Sequence, residues 1–234
     1  MPRPVLPMSN TAAVRVSPAV APRPPSSPER VADAITKGLM RREYAVGQRL
    51  VEADLTERLQ VSRGTVREAL KILAASGIVE LVPHRGAVIR GLSLADARAL
   101  LAVLEVLTGL AARLAAERIE IGRHKQQFEA AAKPLVAPRA PNEMPRLLDQ
   151  RARFYQTIFD IAGSDDLNRA MPTWRAHLFR SQVQSHLTQT DLRAMMAEYR
   201  EIVDAIVGGD GPRAEALTRN HLQKSGERSL PHLR

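Results

Sequence analysis

The order of hydrophobic periods between residues 29 and 92 constrains the fold more than any other feature of the sequence. Three consecutive segments repeat apolar residues at helical spacing, and the next segment alternates apolar and polar residues as strands do. The third helical segment begins behind Ser62, a typical helix N-cap residue, and ends at Gly77, which suits a left-handed C-cap. The alternation flanks a turn at residues 83–86 and predicts a β-hairpin. Three helices followed by a hairpin predict a winged helix-turn-helix domain.

The sequence changes character on both sides of this block. Residues 1–28 contain eight prolines and no apolar period, which predicts a disordered arm. Residues 93–230 show only helical periods, broken at glycine and proline, and predict an antiparallel bundle of six or seven helices. In this bundle we expect a helix from about residue 121 to stop at Pro134, Pro138 and Pro141, and one helix to run from residue 166 to about 187. The expected fold is therefore mainly α, with an N-terminal winged helix-turn-helix domain at residues 29–92 and an all-helical domain behind it.

The charge of the chain favours a polyanionic partner. The net charge is +9, and residues 1–27, 28–95 and 96–234 carry +3 each, so the charge density falls from front to back. Nucleic acid is therefore expected at the first hundred residues. The chain has no cysteine, which excludes disulfides and fits a reducing cytoplasm, and its few aromatic residues disfavour single-strand binding by stacking. We see no signal peptide and no apolar run of the roughly 20 residues that a membrane span needs.

The start of the third helix concentrates groups that suit double-stranded DNA. Arg63 and Arg67 are four residues apart and therefore share one helix face. One of these guanidinium groups can fork onto the two acceptors of a guanine, and the helix N-terminus offers free amides to phosphate. Small or hydroxylated residues that allow close approach complete the segment: Ser62, Gly64 and Thr65. The alternative is that Arg67 pairs with Glu68 or another carboxylate on a solvated surface.

The segment Val61-Ser62-Arg63-Gly64-Thr65-Val66-Arg67-Glu68-Ala69-Leu70 resembles the recognition-helix start of the GntR family of bacterial transcription regulators. Matching residues surround it at Gly47-Gln48-Arg49-Leu50, Gly77-Ile78-Val79 and Arg85-Gly86. The helical remainder, with Gly109-Leu110-Ala111-Ala112 and Ala205-Ile206-Val207-Gly208-Gly209-Asp210, resembles the FCD-type effector domain of the FadR-like branch. The resemblance implies a homodimeric transcription regulator, a repressor, that binds a palindromic operator and responds to a small molecule bound by the helical domain.

The resemblance also implies DNA contacts outside the third helix. The hairpin tip His84-Arg85-Gly86 would form a wing that reaches the minor groove or the backbone, although an ordinary exposed turn is the alternative. Arg49, ahead of the second helix, is a candidate phosphate contact. Some family members place an arginine inside the second helix, and because Ala53 stands in that neighbourhood we expect this contact to be missing.

The sensing half departs from its relatives. Many FadR-like domains hold a divalent metal with an Asp and three His, and these positions fall on Arg151, Tyr155, Tyr199 and His221 here. An arginine has no free lone pair, and one histidine is not a site, so we predict neither metal nor cofactor.

The same residues suggest a different ligand. With Arg180 as a further candidate, Arg151 and its neighbours would cradle a small organic acid by guanidinium, hydroxyl and imidazole donors. The alternative is that Arg151 pairs with Glu143, Asp149 or another acid, and that the two tyrosines are core residues.

Two other classes of function compete with a ligand-responsive regulator. An all-helical enzyme with a DNA-binding appendage would need a reactive motif, but the sequence has no Gly-rich phosphate loop, nucleophile elbow or His-Glu-x-x-His helix. We therefore expect no catalytic residues. An effector-independent architectural DNA-binding protein would explain the basic charge, but not a nearly neutral bundle at residues 96–234.

Overall fold

The structure is a computed structural model that describes residues 26–41, 43–82, 86–137 and 144–233. The predicted arm, up to residue 25, and His84 and Arg85 of the predicted wing lie outside the described residues. The N-terminal domain contains, in chain order, α1 (Ser27–Met40), β1 (Arg49–Leu50), α2 (Glu52–Leu59), α3 (Arg63–Ala75), β2 (Val79–Val82) and β3 (Gly86–Ile89). This order confirms the winged helix-turn-helix prediction.

Helix α1 begins two residues earlier than the predicted domain boundary. Ser26 caps it by accepting a hydrogen bond from the Glu29 amide, and the Glu29 side chain accepts one from the Ser26 amide in return. Pro28, which the prediction assigned to the arm, lies in the first turn, where a helix needs no N–H donor. The capping box therefore corrects the boundary from residue 29 to Ser27.

The helix-turn-helix follows its sequence signals closely. Helix α2 ends at Gln60, which adopts a left-handed conformation with φ of 53°. Helix α3 starts at the predicted cap, because the Ser62 hydroxyl accepts a hydrogen bond from the Thr65 amide at 3.1 Å. The predicted inward stripe of α3 is buried, and it consists of Val66, Ala69, Leu70 and Leu73. This stripe packs with Val31, Ile35, Leu55, Val79 and Ile89 into one hydrophobic core.

The sheet has one strand more than the sequence predicts. The hairpin β2–β3 forms as expected, and the two-residue strand β1 joins the free edge of β3, which gives the order β1-β3-β2. Leu50 pairs with Ala87, and its side chain is buried in the core. The extra strand therefore ties the segment ahead of α2 to β3 of the hairpin, close to the hairpin tip.

The C-terminal domain is helical throughout its described residues after Ser93. Its elements are α4 (Leu94–Glu117), α5 (His124–Val136), α6 (Met144–Ala162), α7 (Asp165–Ala170), α8 (Thr173–Val183), α9 (Gln189–Val207) and α10 (Gly211–Ser229), with 3-10 turns at Gln184–His186 and Leu230–His232. The larger of the two predicted helix numbers is therefore correct.

Proline positions cause two departures from the predicted helices. Helix α5 was expected to stop at the run Pro134, Pro138 and Pro141; it passes through Pro134 and ends at Val136, ahead of Pro138, and the neighbouring Leu135 is fully buried. Core packing there compensates for the lost backbone hydrogen bond. A single helix was expected from residue 166 to 187, but Pro172 divides it into α7 and α8, because the residue ahead of a proline avoids the helical conformation.

Helix α4 runs through the bundle and packs against α6, α9 and α10. Small residues on its inward face, Ala111, Ala112 and Ala115, are fully buried and allow close helix approach. By length and apolar composition, α4 is the one helix in the described part of the chain that is long enough to cross a membrane, and half of that stretch is buried inside the bundle. A buried core helix meets the same criteria, so the observation carries no membrane assignment.

The two domains contact each other through α1 and α8. Trp174, at the start of α8, packs against the core of the N-terminal domain and also against a cluster in the bundle formed by Leu100, Leu104 and Phe179. Helix α8 is therefore shared between the two domains.

Candidate nucleic-acid interface and effector site

Helix α3 presents its two predicted DNA-reading arginines to solvent. Arg63 and Arg67 are exposed, while Val66 and Leu70 on the opposite side are buried. The Ser62 hydroxyl also lies 2.9 Å from the Thr65 hydroxyl, so the two form one hydrogen-bonded cap. The geometry leaves a guanidinium-bearing face free to enter a groove of DNA.

A shallow concavity of about 720 Å³ gathers the predicted contacts from several elements. Arg49 of β1, Arg63 and Arg67 of α3 and Gly86 of β3 all line it. Lys71, which was not among the predicted contacts, lines it as well. Its signal was present, because Lys71 continues the four-residue spacing of Arg63 and Arg67 along one helix face.

Arg67 makes an ion pair, but with a different acid from the one considered in the sequence. Its Nε lies 2.9 Å from Glu52 Oε2 at the start of α2, whereas Glu68 pairs with Lys71. The Arg67 side chain remains 65% exposed, and a surface pair of this kind contributes about 1 kcal/mol or less. Among the described residues the pair engages only Nε, so the forked Nη atoms stay accessible to a DNA acceptor.

Two positions of the predicted interface are occupied by glycine for different physical reasons. Gly86 has φ of 82°, and a Cβ there would lie 2.8 Å from the Leu50 carbonyl oxygen, so the sheet itself requires this glycine. At Gly64 the nearest atom to a Cβ would be the Ser62 hydroxyl at 3.8 Å, an ordinary contact. Because the protein's own packing does not require Gly64, the missing side chain matters chiefly to a partner that approaches the helix start.

The second candidate site lies inside the bundle and unites all five predicted effector residues. Arg151 Nε of α6 donates a hydrogen bond of 2.9 Å to the Tyr199 hydroxyl of α9, which lies 3.3 Å from the Tyr155 hydroxyl. The Arg180 guanidinium of α8 sits 4.7 Å from the centre of the Tyr155 ring. The His221 ring of α10 lies 4.5 Å from that of Tyr199. All five side chains are buried.

The charge of this cluster is not balanced. No carboxylate in the described ranges forms an ion pair with Arg151 or Arg180, so the proposed pairing of Arg151 with Asp149 is absent; Glu143 lies outside the described residues. Burial lowers the pKa of Arg180, and the nearby positive charge of Arg151 lowers it further. Burial also raises the pKa of Tyr155 well above its usual value, so its hydroxyl stays neutral. Arg151 and Arg180 therefore carry buried positive charge without a carboxylate partner among the described residues.

His221 forms one edge of the cluster through a network with Glu198. His221 Nδ1 lies 2.6 Å from Glu198 Oε2, and Arg228 donates two hydrogen bonds of 2.8 Å to the same carboxylate. Burial lowers the pKa of His221 to about 4 in spite of the Glu198 bond, which by itself would raise it. Burial favours protonation of Glu198, but the Arg228 and His221 bonds hold its pKa at about 2.

These protonation states assign the two nitrogens of His221. The Glu198 carboxylate can only accept, so Nδ1 of the neutral ring carries the proton and Nε2 has a bare lone pair. Nε2 is buried and has no hydrogen-bond partner within the described part of the chain. The imidazole that the sequence suggested as a donor is therefore an acceptor at Nε2.

The cluster does not fit a divalent metal ion. Its Arg151, Tyr155 and Tyr199 are linked to one another, and a guanidinium cannot ligate a cation. His221 does keep the imidazole–carboxylate pairing that orients metal ligands, but among the described residues it has no further ligands placed to share a metal with it. The described residues contain no group of three or more His, Asp or Glu side chains placed to hold a metal.

A winged helix-turn-helix with exposed arginines, joined to a separate helical domain, is an arrangement typical of helix-turn-helix transcription regulators. Residues 28–89 match the family described as bacterial regulatory proteins, gntR family, and residues 99–224 match the FCD domain. The chain belongs to the GntR family of transcriptional regulators and carries an FCD domain.

Individual relatives agree with this assignment. An HTH-type transcriptional regulator in an unstable DNA locus of Streptomyces ambofaciens is 26% identical over 77% of this chain and 75% of its own length. The HTH-type transcriptional repressor RspR of Escherichia coli (strain K12) is 24% identical over 78% and 80%. A solved GntR regulator from Rhodococcus sp. RHA1 shares the fold with a TM-score of 0.68 and 22% identity, covering 88% of this chain and 99% of that one.

Proposed function

We propose that this regulator is a cytoplasmic, homodimeric repressor that binds a palindromic operator in double-stranded DNA and responds to a hydroxylated organic acid bound in the FCD domain. The observation that carries the effector proposal is the buried pair Arg151 and Arg180, which has no carboxylate partner among the described residues. An unpaired buried charge is costly, and an entering carboxylate would relieve that cost at both groups.

The hydroxyl group of the proposed effector is inferred from His221. A buried, bare Nε2 accepts a hydrogen bond, and a second carboxylate oxygen could not donate one to it. A ligand that offers its carboxylate to the arginines and a hydroxyl to His221 would use all three groups. Hydroxy acids and sugar acids have this combination.

The DNA-binding proposal rests on the exposed arginine face of α3 and its concavity. Arg63 and Arg67 suit base edges, Arg49 and Lys71 suit phosphates, and the amide-rich start of α3 suits phosphate as well. His84, Arg85 and Gly86 remain candidates for the wing. The repressor assignment follows the role of the relative RspR.

The proposed dimer is supported by an apolar stripe on α4. Val103 and Val106 are each about half exposed, although they lie on the central helix of the bundle. Sedimentation of the full chain should give two copies per particle, and Val103→Glu combined with Val106→Glu should give single copies with weakened operator affinity. A wild-type monomer bound to its operator would contradict the proposal.

The test of the effector proposal compares hydroxy acids with matched analogues. Operator binding by the wild-type chain is followed by fluorescence anisotropy while hydroxy acids, their deoxy acids and their amides are added. We expect the hydroxy acid to change operator affinity, the deoxy acid to act more weakly and the amide to have no effect. An equal response to acid and amide would refute the carboxylate cradle.

Elemental analysis of the purified protein, before any chelator, tests the same cluster independently. The Arg151, Tyr155 and Tyr199 arrangement predicts far less than one ion of Zn, Ni, Fe or Mn per chain. One ion per chain would show that His221 has other partners and would return the protein to the metal-dependent branch of its family.

A further inference from the structure

A cavity of about 630 Å³ lies between the two domains. One wall comes from the winged-helix domain, through Leu39 of α1 and Tyr44 and Val46 of the turn that follows. The other wall comes from the bundle, through Trp174, Leu178 and Leu192. Its volume lies within the range of sites that hold small organic molecules.

The lining of this cavity is chemically unlike the rest of the protein. A quarter of the chain is charged, yet none of the described lining residues is Asp, Glu, Lys or Arg. The polar groups are the His177 imidazole and the hydroxyls and amides of residues such as Thr36, Ser181 and Gln182. A lining without a guanidinium or ammonium group cannot fork onto a carboxylate as Arg151 can, so it disfavours the organic acid proposed for the Arg151 cluster.

Helix α8 lines the interdomain cavity with one face and contributes to the Arg151 cluster with the opposite face. Trp174, Leu178, Ser181 and Gln182 line the cavity and recur at the spacing of one helical face. Arg180, on the other side, stacks on Tyr155 in the buried cluster. The cavity is therefore a second location on the same helix, and not an extension of the effector cluster.

Gln182 also connects the cavity to the segment between the domains. Its Oε1 accepts a hydrogen bond of 2.9 Å from the Leu92 amide, at the end of the winged-helix domain. A Cβ added at the adjacent Gly91 would meet Val46 and Gln182 at less than 3 Å. A molecule in the cavity would thus lie against both domains and their linking segment.

We propose that this interdomain cavity binds a neutral, largely apolar small molecule that bridges the winged-helix domain and the FCD domain. The occupant is argued from a described lining without Asp, Glu, Lys or Arg, from the volume, and from the aromatic pair Tyr44 and Trp174, which offers flat apolar surface. The proposal does not depend on the effector assigned to Arg151 and Arg180.

The experiment uses the full chain and the neutral fluorophore N-phenyl-1-naphthylamine. Trp174 is the single tryptophan of the chain and lines the cavity, so excitation of tryptophan should transfer energy to a bound fluorophore. We expect saturable binding with one fluorophore per chain, together with quenching of Trp174 emission. Absence of saturable binding overturns the proposal.

Variants on both walls test the bridging geometry. Val46→Glu places a charge on the winged-helix wall, and Ser181→Phe fills the cavity from the bundle wall; each should weaken binding by about tenfold or more. Ile121→Glu, at an exposed apolar residue that does not line the cavity, is the matched control and should bind as the wild type does. Weakening by only one of the two wall variants overturns the bridge, and no weakening by either overturns the site.

Two further variants test whether the cavity acts independently of the Arg151 cluster and of the N-terminal segment. Arg151→Met should bind the fluorophore normally even where it has lost its response to organic acids, so the two proposals fail independently. A chain that lacks residues 1–25 should also bind as the wild type does. Fluorophore binding that appears only after this truncation would mean that the N-terminal segment occupies the cavity, and would overturn the proposal.

Discussion

The two arginine-rich regions of this protein differ in how their charge is balanced. On the proposed DNA-binding surface, Arg67 is exposed and has Glu52 as a partner, so its charge is solvated in the free protein. In the FCD domain, Arg151 and Arg180 are buried and lack a carboxylate within the described residues. An exposed charge lowers the free energy of unfolding little and can bind a polyanion from solution. A buried unpaired charge lowers it until an anion binds beside the charge.

The largest effect is expected from Arg151→Met, which removes buried charge but keeps side-chain volume. Organic-acid binding should weaken by on the order of 3–5 kcal/mol, because the anion would lose its buried partner. Without the acid, the free energy of unfolding should stay the same or rise. Calorimetric titration and urea unfolding measure the two quantities.

Arg153→Met on the exposed side of α6 is the matched control, and it should alter neither acid binding nor unfolding. A large loss of stability in Arg151→Met without acid would show that Arg151 is a structural residue. The contrast between exposed and buried arginines would then lose its functional meaning.

The second effect concerns pH and the buried imidazole of His221. Burial lowers its pKa from 6.5 to about 4, so the unfolded chain binds this proton more tightly than the folded one. The contribution of His221 to the free energy of unfolding should therefore be fully present above pH 6.5. As the pH falls from 6.5 to 4, the free energy of unfolding should decrease by up to about 1.4 kcal/mol per pH unit. Urea unfolding across this range measures the slope.

His221→Gln should flatten that slope, since glutamine does not titrate. His186→Gln, which changes an exposed imidazole, should leave it as in the wild type. Equal slopes in all three proteins would mean that His221 is not held neutral by burial.

A smaller effect is expected at the exposed face. Arg67→Ala should cost about 1–3 kcal/mol of affinity for the cognate operator and reduce discrimination between base sequences, if Arg67 reads a base. Anisotropy with the operator and with single-base variants measures both. Arg169→Ala, an exposed arginine of α7, is the control. An unchanged affinity in Arg67→Ala would remove α3 from the interface.

The smallest effect is expected from Lys71→Ala, because a lysine beside the groove suits a phosphate and not a base. Affinity should fall equally on all DNA sequences, and the slope of log affinity against log salt should decrease by about 1. Binding isotherms at several salt concentrations provide the slope. A sequence-selective loss would instead make Lys71 a reading residue.

Local patterns in the sequence were sufficient to predict the three helices and the hairpin of the winged helix-turn-helix. Ser62 is a cap whose effect ends within one turn, and the stripe of α3 is readable from spacing alone. Strand β1 was not predictable in the same way, because two residues have no period and its pairing with β3 is a long-range contact. The continuation of α5 through Pro134 was unpredictable for a similar reason, since burial of Leu135 compensates for the proline only in the packed bundle.

For the buried cluster, only the resemblance to a family indicated from the sequence which side chains lie together. The reason is that the side chains of the cluster come from four helices that are distant along the chain. Tertiary structure decided what they are: it left the arginines without a carboxylate in the described residues and made His221 an acceptor by placing Glu198 at Nδ1. Tertiary structure alone also decided the interdomain cavity, whose walls have no common sequence pattern. Caps and helical stripes depend on neighbours within a few residues, whereas burial and charge balance depend on all the surroundings of a group at once.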